Sequence, residues 1–217
     1  MTETASVAGP DESGVSPRPA PGSRYLRRLG VLLLALVLAG CGVRQPEFKN
    51  SDVTGSDCCR DFSLTDHKGR TRTLADFRGK AVVIFFGYTQ CPDVCPTTMA
   101  ELKTVVQQLG ADGKRVQVLF VTLDPERDTR ELLADYVPAF DPDFLGLYGD
   151  LETTAKTAKE FRVFYQKHSG PTPTSYTLDH TAGSYVFDPQ GRVRLFVRHG
   201  DGGANLVADL RALLAQG

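Results

Sequence analysis

The chain of 217 residues has no marked excess of charge: 25 Lys and Arg stand against 26 Asp and Glu, a formal net charge of −1. The two signs are interspersed through its later part. A nucleic-acid partner calls for a basic face that displaces counterions, and none is expected here. Long apolar runs are also lacking. The run from Leu29 to Leu38 is about ten residues, roughly half of what a helix needs to cross a bilayer. Internal repeats are absent, and large apolar side chains are nearly missing from Met1 to Ser23, which is rich in Pro, Gly, Ser, Ala and Glu. Such a segment cannot bury enough surface to order, so residues 1–23 are expected to be a disordered leader. Cysteine is scarce, with five in all, and their positions (41, 58, 59, 91 and 95) carry most of the chemistry.

The basic group Arg24-Tyr25-Leu26-Arg27-Arg28, the short apolar run and Leu38-Ala39-Gly40-Cys41 have the layout of an export signal. Small residues directly before a cysteine are similar to the lipobox of bacterial lipoproteins, so residues 24–40 are expected to be removed and Cys41 to be lipidated. An ordinary signal peptide or an uncleaved N-terminal anchor is the alternative. Residues 41–57 read as a polar tether and residues 58–217 as one domain. The domain is then exported and membrane-anchored, facing the bacterial periplasm, where disulfides can form.

Within that domain the chain is organised around Val82-Val83-Ile84-Phe85-Phe86, a continuous apolar run that reads as a strand buried on both faces. It leads through Gly87-Tyr88-Thr89-Gln90 to Cys91-Pro92-Asp93-Val94-Cys95-Pro96. Pro96 suits the first residue of a helix, because its missing N–H has no partner there in any case. Cys95 is then at a helix N-terminus, where the dipole favours an anion, and its thiol is expected to ionise more easily than a free one.

Upstream, Phe62–Thr65 and Arg70–Thr73 flank Asp66-His67-Lys68-Gly69 as a small β-hairpin, with His67 exposed in its turn. Leu74–Phe77 reads as a single helical turn. Val116–Thr122 is a second buried strand, followed by a junction in which Asp128 or Thr129 caps a helix through Leu132, Leu133, Tyr136 and Val137. Leu145–Tyr148 is a strand and Leu151–Phe161 a helix. Val163–Tyr165 reads as a short strand and 166–177 as a long polar loop leading to His180. Gly183–Phe187 and Val193–Val197 form a hairpin around Asp188-Pro189-Gln190-Gly191, and a helix from about Asn205 to Leu214 closes the chain. His168 is expected to be exposed and His199 to end a strand.

Strands alternating with helices, then a terminal hairpin and helix, give an α/β three-layer sandwich. A dithiol after a buried strand and at a helix N-terminus makes that sandwich thioredoxin-like, with an added N-terminal β-hairpin.

Three separated runs carry a more specific signal: Phe85 to Thr98, Val121 to Thr129, and Asp179-His180-Thr181 with Asp188-Pro189-Gln190-Gly191. Together they resemble the Sco/SenC family, thioredoxin-like and membrane-tethered proteins associated with copper delivery to the binuclear copper centre of cytochrome c oxidase subunit II. The resemblance implies a copper ion held by Cys91, Cys95 and His180. The donor types agree with this, since soft thiolates suit Cu(I) and an imidazole serves either oxidation state. A structural disulfide between Cys91 and Cys95 is disfavoured, because so short a loop hardly restricts the unfolded chain. Asp179 either orients the imidazole or is structural. The other class of function is a thiol–disulfide oxidoreductase using Cys91 and Cys95 as a catalytic pair that keeps the acceptor's cysteines reduced. Three residues between the cysteines and the presence of His180 favour the metallochaperone. The resemblance supplies no role for Cys58 and Cys59, left as a vicinal disulfide, a second soft-metal site, two incidental thiols or an intermolecular bridge, with the last two preferred.

Overall fold

The computed structural model describes residues 47–172 and 175–216. The expected leader, the signal segment, Cys41 and the first part of the tether lie outside the described residues. The strands are β1 (Ser51–Asp52), β2 (Leu64–Asp66), β3 (Thr71–Arg72), β4 (Ala81–Gly87), β5 (Val116–Thr122), β6 (Leu145–Tyr148), β7 (Tyr165–Ser169), β8 (Tyr176–His180), β9 (Gly183–Phe187) and β10 (Val193–Arg198). The helices are α1 (Val94–Gln108), α2 (Arg130–Tyr136), α3 (Leu151–Glu160) and α4 (Gly203–Leu214).

Every residue of β4 and of β5 is buried, as their largely apolar, β-branched and aromatic composition suits. They pair in parallel from Ala81 opposite Val116 to Gly87 opposite Thr122, which brings both C-terminal ends to one level. β6 adds in parallel beside β5, and β9 runs antiparallel along β4. The full sheet has the order β1-β10-β9-β4-β5-β6-β2-β3. Successive side chains on a strand point to opposite faces, so Phe85 and Phe86 enter different layers. Phe85 packs with Phe120 (ring centroids 6.2 Å apart), which meets Tyr136 of α2. Phe86 packs with Phe161 (5.1 Å), at the end of α3, and Phe161 with Tyr185. With α1 packed along α4, this is the expected thioredoxin-like three-layer sandwich, with the β2–β3 hairpin at one edge and the β9–β10 hairpin and α4 closing the chain.

Local signals set the helix starts. Thr129 caps α2 by accepting the Leu132 N–H at 3.2 Å, and Asp150 caps α3 by accepting that of Thr153 at 2.7 Å. Pro96 is the third residue of α1 rather than the first, still within the turn whose N–H groups have no helical partner.

Three expectations need correcting. The segment read as tether is part of the fold from Lys49 onward. Its polar groups serve the buried Asp209 carboxylate of α4, which accepts the Lys49 N–H (2.8 Å), the Asn50 N–H (2.9 Å) and the Asn50 side-chain amide (2.7 Å). That leads Ser51 and Asp52 into pairing with Phe196 and Leu195. The region read as a short strand and a long loop is a second, two-stranded sheet of β7 and β8, paired from Tyr165 opposite His180 to Ser169 opposite Tyr176. Apart from Leu178 its side chains are exposed or half-buried, which hid the strands behind a polar composition. His67 is buried, because it prolongs the β2–β6 ladder. Its backbone N–H donates to the Gly146 carbonyl (2.9 Å) and its Nδ1 accepts the Gly146 N–H (3.0 Å).

Two predictions follow from these contacts. Burial pushes the His67 imidazole below its ordinary value, and Lys68 adds to the depression. The unfolded chain therefore takes up this proton first. The stability from neutral His67 is complete above about pH 6.5 and is lost as pH falls through that value towards the depressed folded one. Urea midpoints between about pH 7.5 and 5 are expected to fall more steeply for the wild type than for His67→Gln; equal slopes would contradict this. Asp209→Ala leaves the backbone donors of residues 49 and 50 without their acceptor and is expected to cost about 2–4 kcal/mol in the same assay.

Candidate metal centre

Past Gly87 the chain turns before entering α1, the Cys91 N–H donating to the Tyr88 carbonyl at 3.2 Å. Cys91 is half-buried at the rim, and Cys95, second residue of α1, is fully enclosed. Its sulfur lies over Gly87. A Cβ at that position would come within 2.8 Å of Cys95 Sγ and 3.0 and 3.1 Å of the Phe85 and Phe120 rings, so glycine is what leaves room for the thiol. The Cys95 N–H donates to Cys91 Sγ at 3.5 Å.

His180 arrives from the other sheet, at the end of β8. Its Nε2 stands 3.6 Å from Cys95 Sγ, and its ring is met edge-on by Phe85 and Tyr88. Nδ1 lies 3.1 Å from the Thr181 carbonyl oxygen. A carbonyl only accepts, so Nδ1 carries the proton and Nε2 turns its lone pair towards the thiols. One donor atom from each of Cys91, Cys95 and His180 lies within 4.8 Å of the others. Metal–sulfur bonds near 2.3 Å and metal–nitrogen bonds near 2.0 Å put donors about 4 Å apart, so the cluster fits a single ion.

The expectation of an easily ionised Cys95 does not hold. Burial pushes its thiol far up, Cys91 and Asp128 add to the rise, and only a backbone hydrogen bond at Tyr88 opposes it. The dipole of a helix end is worth about 2 kcal/mol at most, and desolvation of a fully enclosed sulfur exceeds that. Only a directly coordinated cation reverses the balance. Burial likewise pushes the His180 imidazole down, against the Thr181 carbonyl and Asp179, which keeps it neutral and able to coordinate.

The run Asp124–Thr129 holds the two parts of the cluster together. Asp128 accepts the Thr89 N–H (3.0 Å) and hydroxyl (2.6 Å) and the Thr122 hydroxyl (2.6 Å), joining the chain just past β4 to the end of β5. Asp124 accepts the Tyr176 hydroxyl at 2.6 Å and Arg127 Nε at 2.5 Å. Arg127 donates in turn to the Tyr176 carbonyl (3.0 Å) and Gln90 Oε1 (3.2 Å), with its guanidinium 3.4 Å from the Tyr176 ring centroid. Tyr176 opens β8 and His180 ends it, so this latch fixes the strand that delivers the imidazole.

All three sequence-predicted donors are thus brought together. Asp179 does not reach His180; it pairs with His168 at 3.0 Å across the β7–β8 hairpin, both side chains exposed. His199 follows β10 with Nδ1 3.0 Å from the Thr98 hydroxyl. Cys58 and Cys59 lie apart from the cluster and are buried, which does not suit an intermolecular bridge. Sequence reasoning missed Gly87, Asp128, Arg127 and Tyr176. The first three sit in the motif runs, where Asp124–Thr129 was read only as a strand-to-helix junction; nothing in the sequence marks Tyr176.

The SCO1/SenC profile matches residues 51–215. The mitochondrial SCO2 homologue of Bos taurus is 38% identical over 201 residues, 86% of this chain and 74% of that protein. The human SCO2 homologue is 43% identical over 133 residues, 60% of this chain but only 50% of its own length. Copper-bound ScoI from Bradyrhizobium japonicum superposes with a TM-score of 0.65 at 38% identity, covering 70% of this chain and 97% of that one. Apo Sco1 from Thermus thermophilus gives 0.67 at 40% identity, covering 79% and 99%.

Tyr176→Phe removes a hydrogen bond to a carboxylate, worth about 1.5–3 kcal/mol, while keeping the ring under Arg127. The β7–β8 amides are expected to exchange hydrogen roughly 10–100-fold faster, with those of β4 unchanged. Unaltered exchange in the hairpin would dismiss the latch.

Proposed function

The chain belongs to the SCO1/SenC family, and we propose that it is a membrane-tethered metallochaperone that binds copper through Cys91, Cys95 and His180 and delivers it to the binuclear copper centre of cytochrome c oxidase subunit II. The observation that carries this reading is the convergence of two sulfurs and one imidazole nitrogen within 4.8 Å. Two soft thiolates and a neutral imidazole are a donor set suited to Cu(I). The copper-bound state of the Bradyrhizobium japonicum relative supports the choice of metal. The acceptor rests on the family: BsSco, which shares the fold, belongs to the Sco family of cytochrome c oxidase assembly proteins.

The residues divide the work by burial. Copper replaces the proton on Cys95, so loading releases it to solvent, while His180 is already neutral and gives up none. Cys95 is the enclosed donor and Cys91 the accessible one. Three donors leave the ion open to an incoming thiolate or imidazole, and transfer then proceeds by ligand exchange without a change in electron count. His180, carried by a two-stranded arm outside the main sheet, is the donor suited to leave first. Cys41, as a lipid attachment point, would hold the domain at a membrane facing the periplasm.

The second reading, a thiol–disulfide oxidoreductase using Cys91 and Cys95, draws on the two thiols being free and adjacent. It leaves the His180 nitrogen beside Cys95 without a required role.

Copper titration of the domain under reducing and then oxidising conditions separates the two. One ion per chain is expected for the wild type under reducing conditions. Cys91→Ser/Cys95→Ser is expected to abolish binding. His180→Ala is expected to weaken it by more than the about 10–100-fold that loss of an outer-shell partner costs. Weak binding indifferent to His180, with the dithiol cycling against a disulfide substrate, would assign the protein to the oxidoreductase class.

A further inference from the structure

Cys58 and Cys59 take no part in the centre formed by Cys91, Cys95 and His180. They are 6% and 1% exposed, with the Ser56 hydroxyl 3.4 Å from the Cys58 sulfur. Cys59 has φ 62°, in the left-handed region that residues with a Cβ seldom adopt, and its N–H is fastened to the Glu160 carbonyl at 3.0 Å. In this arrangement the two sulfurs stand 2.6 Å apart. That is well inside the about 3.5–4.0 Å at which non-bonded heavy atoms rest. The fold sets the two thiols directly against one another.

A metal does not account for the pair. Among the described residues no His, Asp or Glu joins it as a third donor. A bridge to another protein chain needs a sulfur that a second folded surface can reach, and at 6% and 1% exposed neither is, whereas a small disulfide needs only the exposed edge of Cys58.

We propose that Cys58 and Cys59 are a second redox dithiol, which closes to a vicinal disulfide by exchange with a small-molecule disulfide of the glutathione class. Cys58, the less enclosed of the two, loses its proton to solvent and attacks one sulfur of the oxidant; a mixed disulfide forms and the first thiol leaves. Cys59 then loses its proton and attacks the Cys58 sulfur, forming the Cys58–Cys59 bond and expelling the second thiol. Two protein thiols are oxidised to one disulfide, and one oxidant disulfide is reduced to two thiols.

Adjacent Cα atoms are about 3.8 Å apart, below the range of roughly 4.4–6.8 Å that ordinary disulfides span. The closed ring is therefore strained and easily reduced, and it constrains no loop of the unfolded chain. It acts as a reversible switch rather than a staple. In its closed form the pair offers a soft metal no thiolate, leaving Cys91, Cys95 and His180 without a competing site.

The test equilibrates the full chain in glutathione buffers from reducing to oxidising, quenches with acid, alkylates after denaturation and reads the digested peptide carrying residues 58 and 59 by mass. The doubly alkylated peptide of the reducing buffer is expected to give way, in the oxidising one, to an unalkylated form two hydrogens lighter than the dithiol and free of glutathione. The same conversion is expected in Cys91→Ser/Cys95→Ser, so the result stands apart from the copper titration. Persistence of the doubly alkylated peptide in the most oxidising buffer would overturn the proposal. So would a glutathione adduct as the end product, or a bridge to any other cysteine.

Discussion

The site depends on the buried carboxylate of Asp128. It ties the chain leaving β4 to the end of β5, so the turn bearing Cys91 and Cys95 and the turn bearing Asp124 and Arg127 are held as one body. From that body Asp124 and Arg127 reach Tyr176, and through Tyr176 they hold the strand that ends at His180. Burial pushes the Asp128 carboxyl up, and the hydrogen bonds from Thr122 and Thr89 oppose that rise. A buried acid with its acceptor sites filled is stable in place; stripped of those donors it would carry the full desolvation cost.

The electrostatics of the two cysteines follow from the same compactness. A dithiol used for disulfide exchange benefits from a stabilised thiolate, as accessible thiols at helix ends provide. Cys95 is the reverse, enclosed over Gly87 with its proton held tightly. Such a sulfur is a poor free nucleophile but a good metal donor, since the cation supplies the positive charge that the apolar surroundings lack. The accessible partner, Cys91, remains the point of exchange with another molecule.

Much of this was legible from the residues themselves. The largely apolar, β-branched runs marked β4 and β5, and the turn chemistry of Asp188-Pro189-Gln190-Gly191 the β9–β10 hairpin, while the donor set of Cys91, Cys95 and His180 came from the resemblance of the three motif runs to a family. Misreadings arose where tertiary contacts override local composition. Residues 49–52 look like a linker because their polar groups give no sign of an acceptor 160 positions away in α4. β7 and β8 look like a loop because a hairpin that buries little needs no apolar face. His67 looks like a turn residue because its partner, the Gly146 N–H, belongs to a strand distant in sequence. The dipole argument for Cys95 failed for a related reason: a helix end can be read from sequence, but the degree to which a sulfur is enclosed cannot.

The edges of the main sheet bear on solubility. β4 and β5 are seven-residue segments of high β-propensity, with little charge and no proline, the composition that stacks into cross-β aggregates when another chain can pair with it. They lie at the centre, separated from solvent by β9 and β10 on one side and β6 and β2 on the other. The outermost strands, β1 and β3, are each two residues long. A newcomer finds almost no backbone to extend, and the most adhesive part of the sequence is shielded by its least adhesive parts. If β1 is removed, Leu195 and Phe196 of β10 lose the partner that covers them and join the pairing edge of the sheet, so the short segment first read as a linker also narrows that edge.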